Sequence, residues 1–326
     1  MKAILTKAPG GPEVLTIGEW EKPVPGPNEI LVKVAATALN RADTLQRRGM
    51  YPPPPGASPI LGLEMAGTVV GKGPGAERWA MGDRVCALLS GGGYAEYVVL
   101  HEGLALPVPD GLDMEAAAAI PEVFLTAFQA LYWLAGLQKG ETVLIHAGAS
   151  GVGTAAIQLA RKIGAEVFAT ASAAKHATCL NLGASVAIDY KTVDFKEVIL
   201  EKTKGKGVDV VLDFVAASYL QRNLDCLAID GRMVMLALMG GAKVDNLNLL
   251  PILRKRLRIQ GSTLRARSVA YKLQLVQEFA DVCWDDFAAK QLKPVIDLVC
   301  DWKEVVQAHE RMEANLNQGK IVLKVS

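Results

Sequence analysis

Apolar residues recur along this chain with two different spacings. Between residues 29 and 100 they alternate with polar residues in short runs such as EILVKVAATAL, EMAGTVVGK and GYAEYVVL, separated by glycine and proline. Alternation interrupted by turn residues is typical of strands with one buried face. The first ~120 residues therefore predict a strongly bent, partly open antiparallel barrel.

Beyond about residue 122, helical runs alternate with short apolar segments. These segments read TVLIHAG, EVFATAS, SVAIDY, VDVVLDFV, GRMVMLAL and RIQGSTL. A strand, a helix and another strand in regular succession indicate crossover units, which build a parallel sheet with helices on both faces. The pattern predicts an α/β fold with six strands in this part of the chain.

The final segment, KPVIDLVCDWKEVVQAHERMEANLNQGKIVLKVS, predicts a strand, a helix and a last strand. We assign it back to the barrel, so that the first domain comprises residues 1–121 and 288–326 and the second comprises residues 122–287. Because no repeat or low-complexity linker separates them, we expect the two domains to pack closely around a shared cleft. A cleft between domains is the default position for a ligand site.

Composition narrows the range of partners. The 326 residues are 51% hydrophobic, and 35 Lys and Arg almost balance 34 Asp and Glu. This balance argues against a nucleic-acid or membrane-surface partner, and no apolar run reaches the ~18 residues of a membrane span. One basic cluster, RKRLR at residues 254–258 with Arg265 and Arg267 beyond it, is interpreted as a solvated face. We expect a cytoplasmic protein with a small-molecule partner.

The cysteines argue for neither a disulfide framework nor a zinc site. Five is an odd number, and the closest two are separated by seventeen positions. We interpret them as reduced thiols, mostly in the core; they are Cys86, Cys179, Cys226, Cys283 and Cys300.

A glycine-rich turn joins a predicted strand to a predicted helix. TVLIHA runs into GASGVG, residues 148–153, and then into TAAIQLARKIGA. Gly148 allows a tight turn, whereas Gly151 and Gly153 allow close approach of a pyrophosphate and of the helix to the sheet. Ser150 adds a hydroxyl, and Val152 begins the helix beside them. We interpret this as a Rossmann-type dinucleotide-binding unit; the alternative is an ordinary strand-to-helix turn.

The end of the next strand bears on cofactor choice. An Asp or Glu there would bind the adenosine ribose hydroxyls and repel a 2′-phosphate. This chain has no carboxylate between Glu166 and Asp189, and it offers Ser172, Lys175 and Tyr190 instead. The pattern favours NADPH over NADH. The alternative for Lys175, taken alone, is an ordinary solvent-exposed lysine on a helix.

Several segments together resemble one protein family. They are PGGPEVL, LNRAD, LGLEMAGTVVGKGPG, GDRV, AAAIPEVFLTAFQAL, VLIHAGASGVGTAAIQLA, NLGA and GKIVLKV. Over essentially its whole length the chain resembles the zinc-free quinone oxidoreductases of the zeta-crystallin type, within the medium-chain dehydrogenase/reductases, and especially the p53-inducible branch. The resemblance implies a discontinuous, mainly β GroES-like domain beside a Rossmann domain.

The zinc-containing members of that superfamily carry a cysteine early in the barrel, a His-Glu pair after a glycine, and a lobe of four cysteines. Here Asn40 stands in the early region, Leu63 precedes Glu64, and no cysteine cluster lies between residues 82 and 100. We therefore expect no metal. Without a Lewis acid, the acceptor must already be electrophilic, as a quinone or an activated alkene is. We assign Glu64 no catalytic role and expect a salt bridge to hold it.

The resemblance assigns further residues to the site. Tyr51, on a proline-stiffened loop, is placed at the acceptor pocket, where it hydrogen-bonds the acceptor or relays a proton; the alternative is an aromatic plug. Asn40 is placed near the nicotinamide, a role compatible with capping the next helix. We expect Arg41 and Asp43 to pair within that helix's first turn.

The remaining cofactor contacts rest on the resemblance alone. Thr126 is placed with its hydroxyl at the nicotinamide carboxamide, although a threonine inside a helix is more often bonded to its own backbone. The other predicted contacts are the cofactor floor, Leu238, Met239 and Gly240, and the nicotinamide end, Leu264 and Asn317.

These observations favour NADPH-dependent, zinc-independent reduction of quinones. Two alternatives stay open: reduction of α,β-unsaturated carbonyls, and a cofactor-sensing or RNA-binding protein with little turnover. The last strands, RMVMLAL and RIQGSTL, leave an apolar sheet edge that needs a cover. We therefore expect a homodimer joined through the Rossmann domains, with NLNLLPIL contributing to the contact unless that segment packs internally.

Overall fold

A computed structural model describes residues 1–326 of the chain. Its contacts divide it into two compact units, of which the first combines Met1–Leu125 with Leu264–Ser326 and the second is Thr126–Thr263. No helix is both long enough and apolar enough to cross a membrane.

Fifteen strands form the sheets. They are β1 (Lys2–Thr6), β2 (Leu15–Glu19), β3 (Glu29–Ala38), β4 (Glu64–Lys72), β5 (Arg84–Leu88), β6 (Tyr97–His101), β7 (Ala105–Pro107), β8 (Thr142–Ile145), β9 (Glu166–Ala171), β10 (Val186–Asp189), β11 (Val208–Asp213), β12 (Leu227–Met235), β13 (Arg258–Gly261), β14 (Ile296–Asp301) and β15 (Lys320–Lys324).

Ten α-helices accompany them, together with four short 3-10 turns and one π-helical segment, Gln129–Leu134. The helices are α1 (Arg41–Arg47), α2 (Met114–Ala118), α3 (Pro121–Phe128), α4 (Gly151–Ile163), α5 (His176–Leu182), α6 (Phe195–Lys202), α7 (Ala217–Cys226), α8 (Leu250–Arg254), α9 (Val269–Ala288) and α10 (Val305–Glu313).

The second unit is built on the predicted parallel sheet. Its six strands lie in the order β10-β9-β8-β11-β12-β13, and every neighbouring pair is parallel. Strand order reverses between β8 and β11, which is the position where such sheets bind ligands at their carboxyl edge. Leu144, Phe168 and Val211 lie in the apolar cluster beneath this sheet. The prediction of an α/β fold is confirmed.

The first unit contains the mainly β structure. A seven-stranded sheet follows the path β14-β15-β3-β4-β5-β7, with β6 also paired to β3, and β1 pairs with β2 separately. Strand β15 runs antiparallel to β3, with Val322 opposite Ala38. The closing segment therefore returns to the barrel, as its sequence predicts.

Helix α9 lies in the first unit, whereas the sequence pattern assigned it to the second. Its aromatic face explains the difference. Phe287 packs edge-on against Phe124 with ring centroids 4.9 Å apart, and Phe279 lies 6.4 Å from the same ring. Three buried aromatic rings hold the helix more strongly than its place in the chain suggests.

Four of the five cysteines are buried, Cys300 is partly exposed, and all five are free thiols. Burial raises the pKa of the Cys179 and Cys300 thiols to about 11 each. A thiol is nucleophilic only as the thiolate, so these two are unreactive at neutral pH.

Candidate functional site

The glycine-rich turn leaves β8 at the carboxyl edge of the parallel sheet. Ala147 rather than Gly148 takes the left-handed conformation, with φ of 48°. Gly148 is needed for space instead, because a Cβ there would lie 2.8 Å from the Cβ of Ala169. A Cβ on Gly153 would lie 2.3 Å from the carbonyl oxygen of Ala147. Both glycines therefore allow helix α4 and strand β9 to approach the turn closely.

Ser150 is the N-cap of helix α4. Its hydroxyl oxygen accepts a hydrogen bond from the backbone N–H of Gly153 at 3.1 Å. Because the hydroxyl oxygen caps the helix as an acceptor, the hydroxyl proton stays available to a ligand. Gly151 and Val152 contribute the first two N–H groups of the helix, which lack carbonyl partners within it. The arrangement suits an anionic group such as a pyrophosphate.

The residues predicted to select the cofactor follow β9 and β10. Because Ala171 pairs with Asp189, the next residues, Ser172 and Tyr190, lie side by side at the carboxyl edge. Ser172 begins a short 3-10 turn in which its carbonyl oxygen accepts the N–H of Lys175 at 2.8 Å, and its side chain takes no part in capping. Tyr190 is 43% exposed. A hydroxyl, an ammonium and a phenol thus lie on one short stretch of edge.

The loop after β12 lies on the same edge. Met239 and Gly240 donate their N–H groups to the carbonyl oxygens of Phe214 and Val215, which follow β11. The side chains of Leu238 and Met239 are each 53% exposed. The structure therefore brings this predicted floor to the sheet edge that also carries the glycine-rich turn.

One feature of this edge left no signal in the sequence. Ala216 has φ of 65° and ψ of −119°, a conformation that is costly for any residue with a Cβ. The carboxylate of Asp213 enforces it by accepting the N–H groups of Val215 at 2.7 Å and of Ala216 at 3.0 Å. Strained backbone of this kind is concentrated at ligand sites.

A buried histidine also supports the edge, and sequence reasoning missed it. His146 precedes the glycine-rich turn; its Nδ1 lies 3.0 Å from Thr170 Oγ1 and its Nε2 lies 2.8 Å from Asn223 Oδ1. The Phe195 and Tyr219 rings flank it, each with its centroid 4.8 Å away. Burial lowers the pKa of His146, so the ring is neutral and ties β8, β9 and α7 together.

In the first unit, Tyr51 is half-buried beneath a guanidinium. The Arg265 guanidinium carbon lies 5.3 Å from the centre of the Tyr51 ring, and Nη1 is 3.4 Å from the Tyr51 carbonyl oxygen. Burial raises the pKa of the Tyr51 phenol, and the positive charge of Arg265 partly opposes this. The phenol therefore keeps its proton at neutral pH and can donate a hydrogen bond.

Arg265 corrects one prediction. Residues 254, 256 and 258 of the basic run are exposed as expected, but Arg265 is only 5% exposed. Its Nε donates to the Ser90 carbonyl oxygen at 2.8 Å and its Nη2 to Gln46 Oε1 at 2.7 Å. The segment turns inward after β13, so this arginine belongs to the interior and not to a solvated face.

Asn40 is the N-cap residue of α1, yet its side chain makes no capping bond. Its Nδ2 donates to Glu64 Oε1 at 2.9 Å and to a backbone carbonyl, and its Oδ1 accepts from Lys320 at 2.6 Å. The side chain that caps this helix end is instead that of Asp43, the third helical residue, whose carboxylate accepts the Asn40 backbone N–H at 2.8 Å. Interior contacts thus occupy most of the amide's hydrogen-bonding capacity.

The expected pairing of Arg41 with Asp43 is wrong. Arg41 turns outward to the Met312 carbonyl oxygen and Asn315 Oδ1, while Asp43 is fully buried and also accepts the Gly62 N–H. Burial raises the pKa of Asp43 to about 6. The backbone N–H groups of Asn40 and Gly62 bind the Asp43 carboxylate in place of a guanidinium.

Glu64 is completely buried, and Lys320 holds it. The Lys320 ammonium lies 2.6 Å from Glu64 Oε1, and Glu64 Oε2 accepts the backbone N–H of Glu122 at 2.9 Å. The salt bridge expected from the sequence is present. The residue that supplies it lies in β15 and carries no local signal for this role.

The other predicted contacts lie on both units. Thr126 is a partly exposed residue of α3, Leu264 is 7% exposed, and Asn317 donates its Nδ2 to the Gly319 carbonyl oxygen at 2.8 Å. These positions leave their predicted roles toward a nicotinamide untested.

Known proteins share this framework. Residues 26–110 match the family model of the alcohol dehydrogenase GroES-like domain, and residues 151–280 match that of the zinc-binding dehydrogenases. A quinone oxidoreductase of Pseudomonas syringae shares 33% identity over 99% of both chains, with a TM-score of 0.87. The chain belongs to the medium-chain dehydrogenase/reductase superfamily.

Two further solved structures of similar chains are relevant to this superfamily assignment. The JamJ enoyl reductase is 30% identical over 100% of this chain and 99% of its own, with a TM-score of 0.89. A mycobacterial protein solved in complex with NADPH is 30% identical over the full length of both chains, with a TM-score of 0.88.

A curated relative, the phthioceranic/hydroxyphthioceranic acid synthase of Mycobacterium tuberculosis, is 38% identical over 229 residues. The match covers 70% of this chain but 11% of that protein, so the chain spans about a tenth of the relative's length.

This medium-chain dehydrogenase/reductase lacks the donor set that zinc requires. No group of three or more His, Cys, Asp or Glu side chains is placed to hold a metal ion. Near Glu64 the side chains are an amide, Asn40, and an ammonium, Lys320, which would repel a divalent cation. Cys86 is buried, and that burial raises the pKa of its thiol. The residues present do not fit the zinc that one family model's description names.

Proposed function

We propose that this chain is an NADPH-dependent, zinc-independent reductase of electrophilic conjugated acceptors, with quinones as its substrates. The observation that carries the proposal is the carboxyl edge of the parallel sheet. There the N-terminus of α4, to which Gly148 and Gly153 allow close approach, lies beside strand β9. Ser172 follows β9 at the position where an acid would repel a 2′-phosphate.

The cofactor would be held by the second unit. The N–H groups of Gly151 and Val152, with the Ser150 hydroxyl, suit the pyrophosphate, and Ser172 with Lys175 suits the 2′-phosphate. The similarity to a protein solved with NADPH supports this choice. When bound, NADPH supplies the hydride.

Tyr51 would hold the acceptor. Because burial raises the pKa of its phenol, Tyr51 stays protonated and can donate a hydrogen bond to the acceptor oxygen as negative charge develops there. The Arg265 guanidinium over its ring polarises that bond further. Overall, a quinone gains one hydride and one proton and leaves as a hydroquinone.

Reduction of α,β-unsaturated thioesters or ketones is the second candidate. It is favoured by similarity to the JamJ enoyl reductase and to the phthioceranic/hydroxyphthioceranic acid synthase. The same groups would serve, with the hydride added to the β carbon and a proton to the α carbon. A protein that binds the cofactor or RNA with little turnover is less well supported, because the exposed arginines at 254–258 have no interleaved aromatic residues.

The test is an NADPH-oxidation assay over matched acceptors. A quinone such as 1,4-naphthoquinone, an enone such as benzalacetone and a simple aldehyde are compared at equal concentration. Turnover with the quinone above the enone supports the first candidate, and the reverse order supports the second. Turnover confined to the aldehyde would rule out both.

We also propose that the free edge of β13 joins two copies of the chain. This strand is exposed along its length, Ile259 is 40% exposed, and Leu253 of the neighbouring helix α8 is 77% exposed. The NLNLLPIL segment is divided, because Leu247 and Ile252 pack against the core. Ile259→Glu should yield a monomer in sedimentation; a native chain that is already monomeric at micromolar concentration would contradict the proposal.

A further inference from the structure

Two cations lie in the interior of the first unit without a carboxylate partner. Arg265 and Lys272 are each 5% exposed, and neither forms a salt bridge. Arg265 binds only neutral oxygens, those of Ser90, Tyr51 and Gln46. Lys272 donates to Ser90 Oγ at 2.8 Å and to the Arg265 carbonyl oxygen at 2.7 Å.

Such an arrangement is unusual, because buried charges are normally paired. The other two buried cations of this unit follow the rule: Lys320 binds Glu64 and Arg47 binds Glu313. Asp43 is the one further buried carboxylate, and backbone N–H groups bind it. Two cations against one carboxylate leave an excess of one positive charge among these buried groups. The half-buried Glu122 also acts on the Tyr51 phenol, whose pKa it raises.

Hydrogen-bonding capacity is also left over. A guanidinium has five N–H donors and an ammonium has three. The structure uses three on Arg265 and two on Lys272. Burial lowers the pKa of both groups. The Arg265 charge lowers the pKa of Lys272 further, whereas Asp43 and Tyr51 partly raise the pKa of Arg265. An anionic oxygen that reached this position would relieve both the charge and the unused donors.

We infer that the Tyr51 site takes acceptors carrying an anionic oxygen group, a carboxylate or a phosphate ester, which Arg265 and Lys272 bind. The inference rests on the proposed function for the identity of the site. Arg265 has a second task, because its contacts with Tyr51, Gln46 and Ser90 hold the Tyr51 loop against α1 and the segment after β5. Lys272 contacts only Ser90 and the Arg265 backbone, so its replacement tests charge with the least damage.

The first experiment compares two matched acceptor pairs. One pair is benzalacetone and its para-carboxylate; the other is the crotonyl thioester of N-acetylcysteamine and that of phosphopantetheine. We expect the native protein to prefer the anionic member of at least one pair by about tenfold or more in kcat/KM. Preference in the first pair identifies a carboxylate, and preference in the second identifies a phosphate. Equal use of both members in both pairs overturns the inference.

Variants assign the preference to residues. Lys272→Gln should reduce the preference by about tenfold while changing kcat/KM for the neutral acceptor less than twofold. Arg265→Lys should reduce the preference and also slow the neutral acceptor, because Arg265 contacts Tyr51. Lys7→Gln, an exposed lysine of the same unit, is the matched control and should behave as native. If Lys272→Gln slows both members of a pair equally, the residue is structural and the inference fails.

A binding measurement separates the inference from the proposed function. The saturated analogue 4-(3-oxobutyl)benzoate cannot be reduced as an enone, and its affinity is measured by calorimetry on native and Lys272→Gln protein. Affinity that falls about tenfold in the variant, in a protein that reduces no conjugated acceptor, would support the inference and defeat the proposed function. The butyryl thioester of phosphopantetheine is the matching saturated probe for a phosphate. Reduction of neutral acceptors with binding of neither saturated probe would overturn the inference and leave the proposed function standing.

Discussion

Replacing Lys320 by methionine should lower the stability of the first unit. The Lys320 ammonium lies 2.6 Å from each of three oxygens, those of Glu64, Asn40 and the Leu39 backbone. Methionine fills the space but leaves the Glu64 carboxylate, which has no exposed surface, without its cation. Removing one partner of a buried ion pair costs roughly 3–5 kcal/mol.

The structure places this change near the lower limit. Glu64 keeps two donors after the substitution, the Asn40 amide and the Glu122 N–H, each at 2.9 Å. We therefore expect Lys320→Met to lower the free energy of unfolding by about 3 kcal/mol. The double variant Glu64→Gln with Lys320→Met has no unpaired charge and should recover most of that loss.

Urea unfolding followed by tryptophan fluorescence measures the effect in the right place. Four of the five tryptophans, at 20, 79, 284 and 302, belong to the first unit. If Lys320→Met costs less than ~1 kcal/mol, or the double variant is no more stable than the single one, then the ion pair does not stabilise the unit in this way.

Three individual sites give further expectations. Ser172→Asp with Lys175→Ala should narrow or reverse the preference for NADPH over NADH by about tenfold or more in Kd, because one charge-assisted bond is worth ~1.5–3 kcal/mol; equal native affinities would contradict the assignment. Burial lowers the pKa of His309 from 6.5 to about 3, so its contribution is present above pH 6.5 and is lost as pH falls toward 3. Between pH 7 and 4.5, the free energy of unfolding of His309→Gln, measured by urea titration, should fall by roughly 2–3 kcal/mol less than that of the native protein. Equal falls would refute this. Ala216→Gly should raise the free energy of unfolding by about 1 kcal/mol, since relieved strain of ~1–3 kcal/mol exceeds the added chain entropy; a destabilised variant would show that the strain is absent.

Much of the fold can be predicted from the sequence because the patterns that indicate its strands and turns are local. The apolar strands of the parallel sheet, the glycine-rich turn and the returning strand β15 each follow from spacing and turn residues within a few positions. Helix α9 was assigned to the wrong unit because Phe124, the residue it packs against, lies far away in sequence.

The interior charges were not predictable for the same reason. Lys320 and Glu64 are separated by most of the chain, and nothing near either residue reveals the partner. Arg265 follows a run of exposed basic residues and looks like one more of them, yet it is buried beside Tyr51. Composition gives the number of charges, whereas only the fold decides which of them face each other.

The most direct test of the central claim is NADPH oxidation by the purified native protein in the presence of a zinc chelator. We predict that NADPH is consumed with 1,4-naphthoquinone or a matched enone, far faster than NADH is, and at a rate the chelator does not change. Consumption only with simple aldehydes, equal use of NADH, or loss of activity with the chelator would contradict the claim.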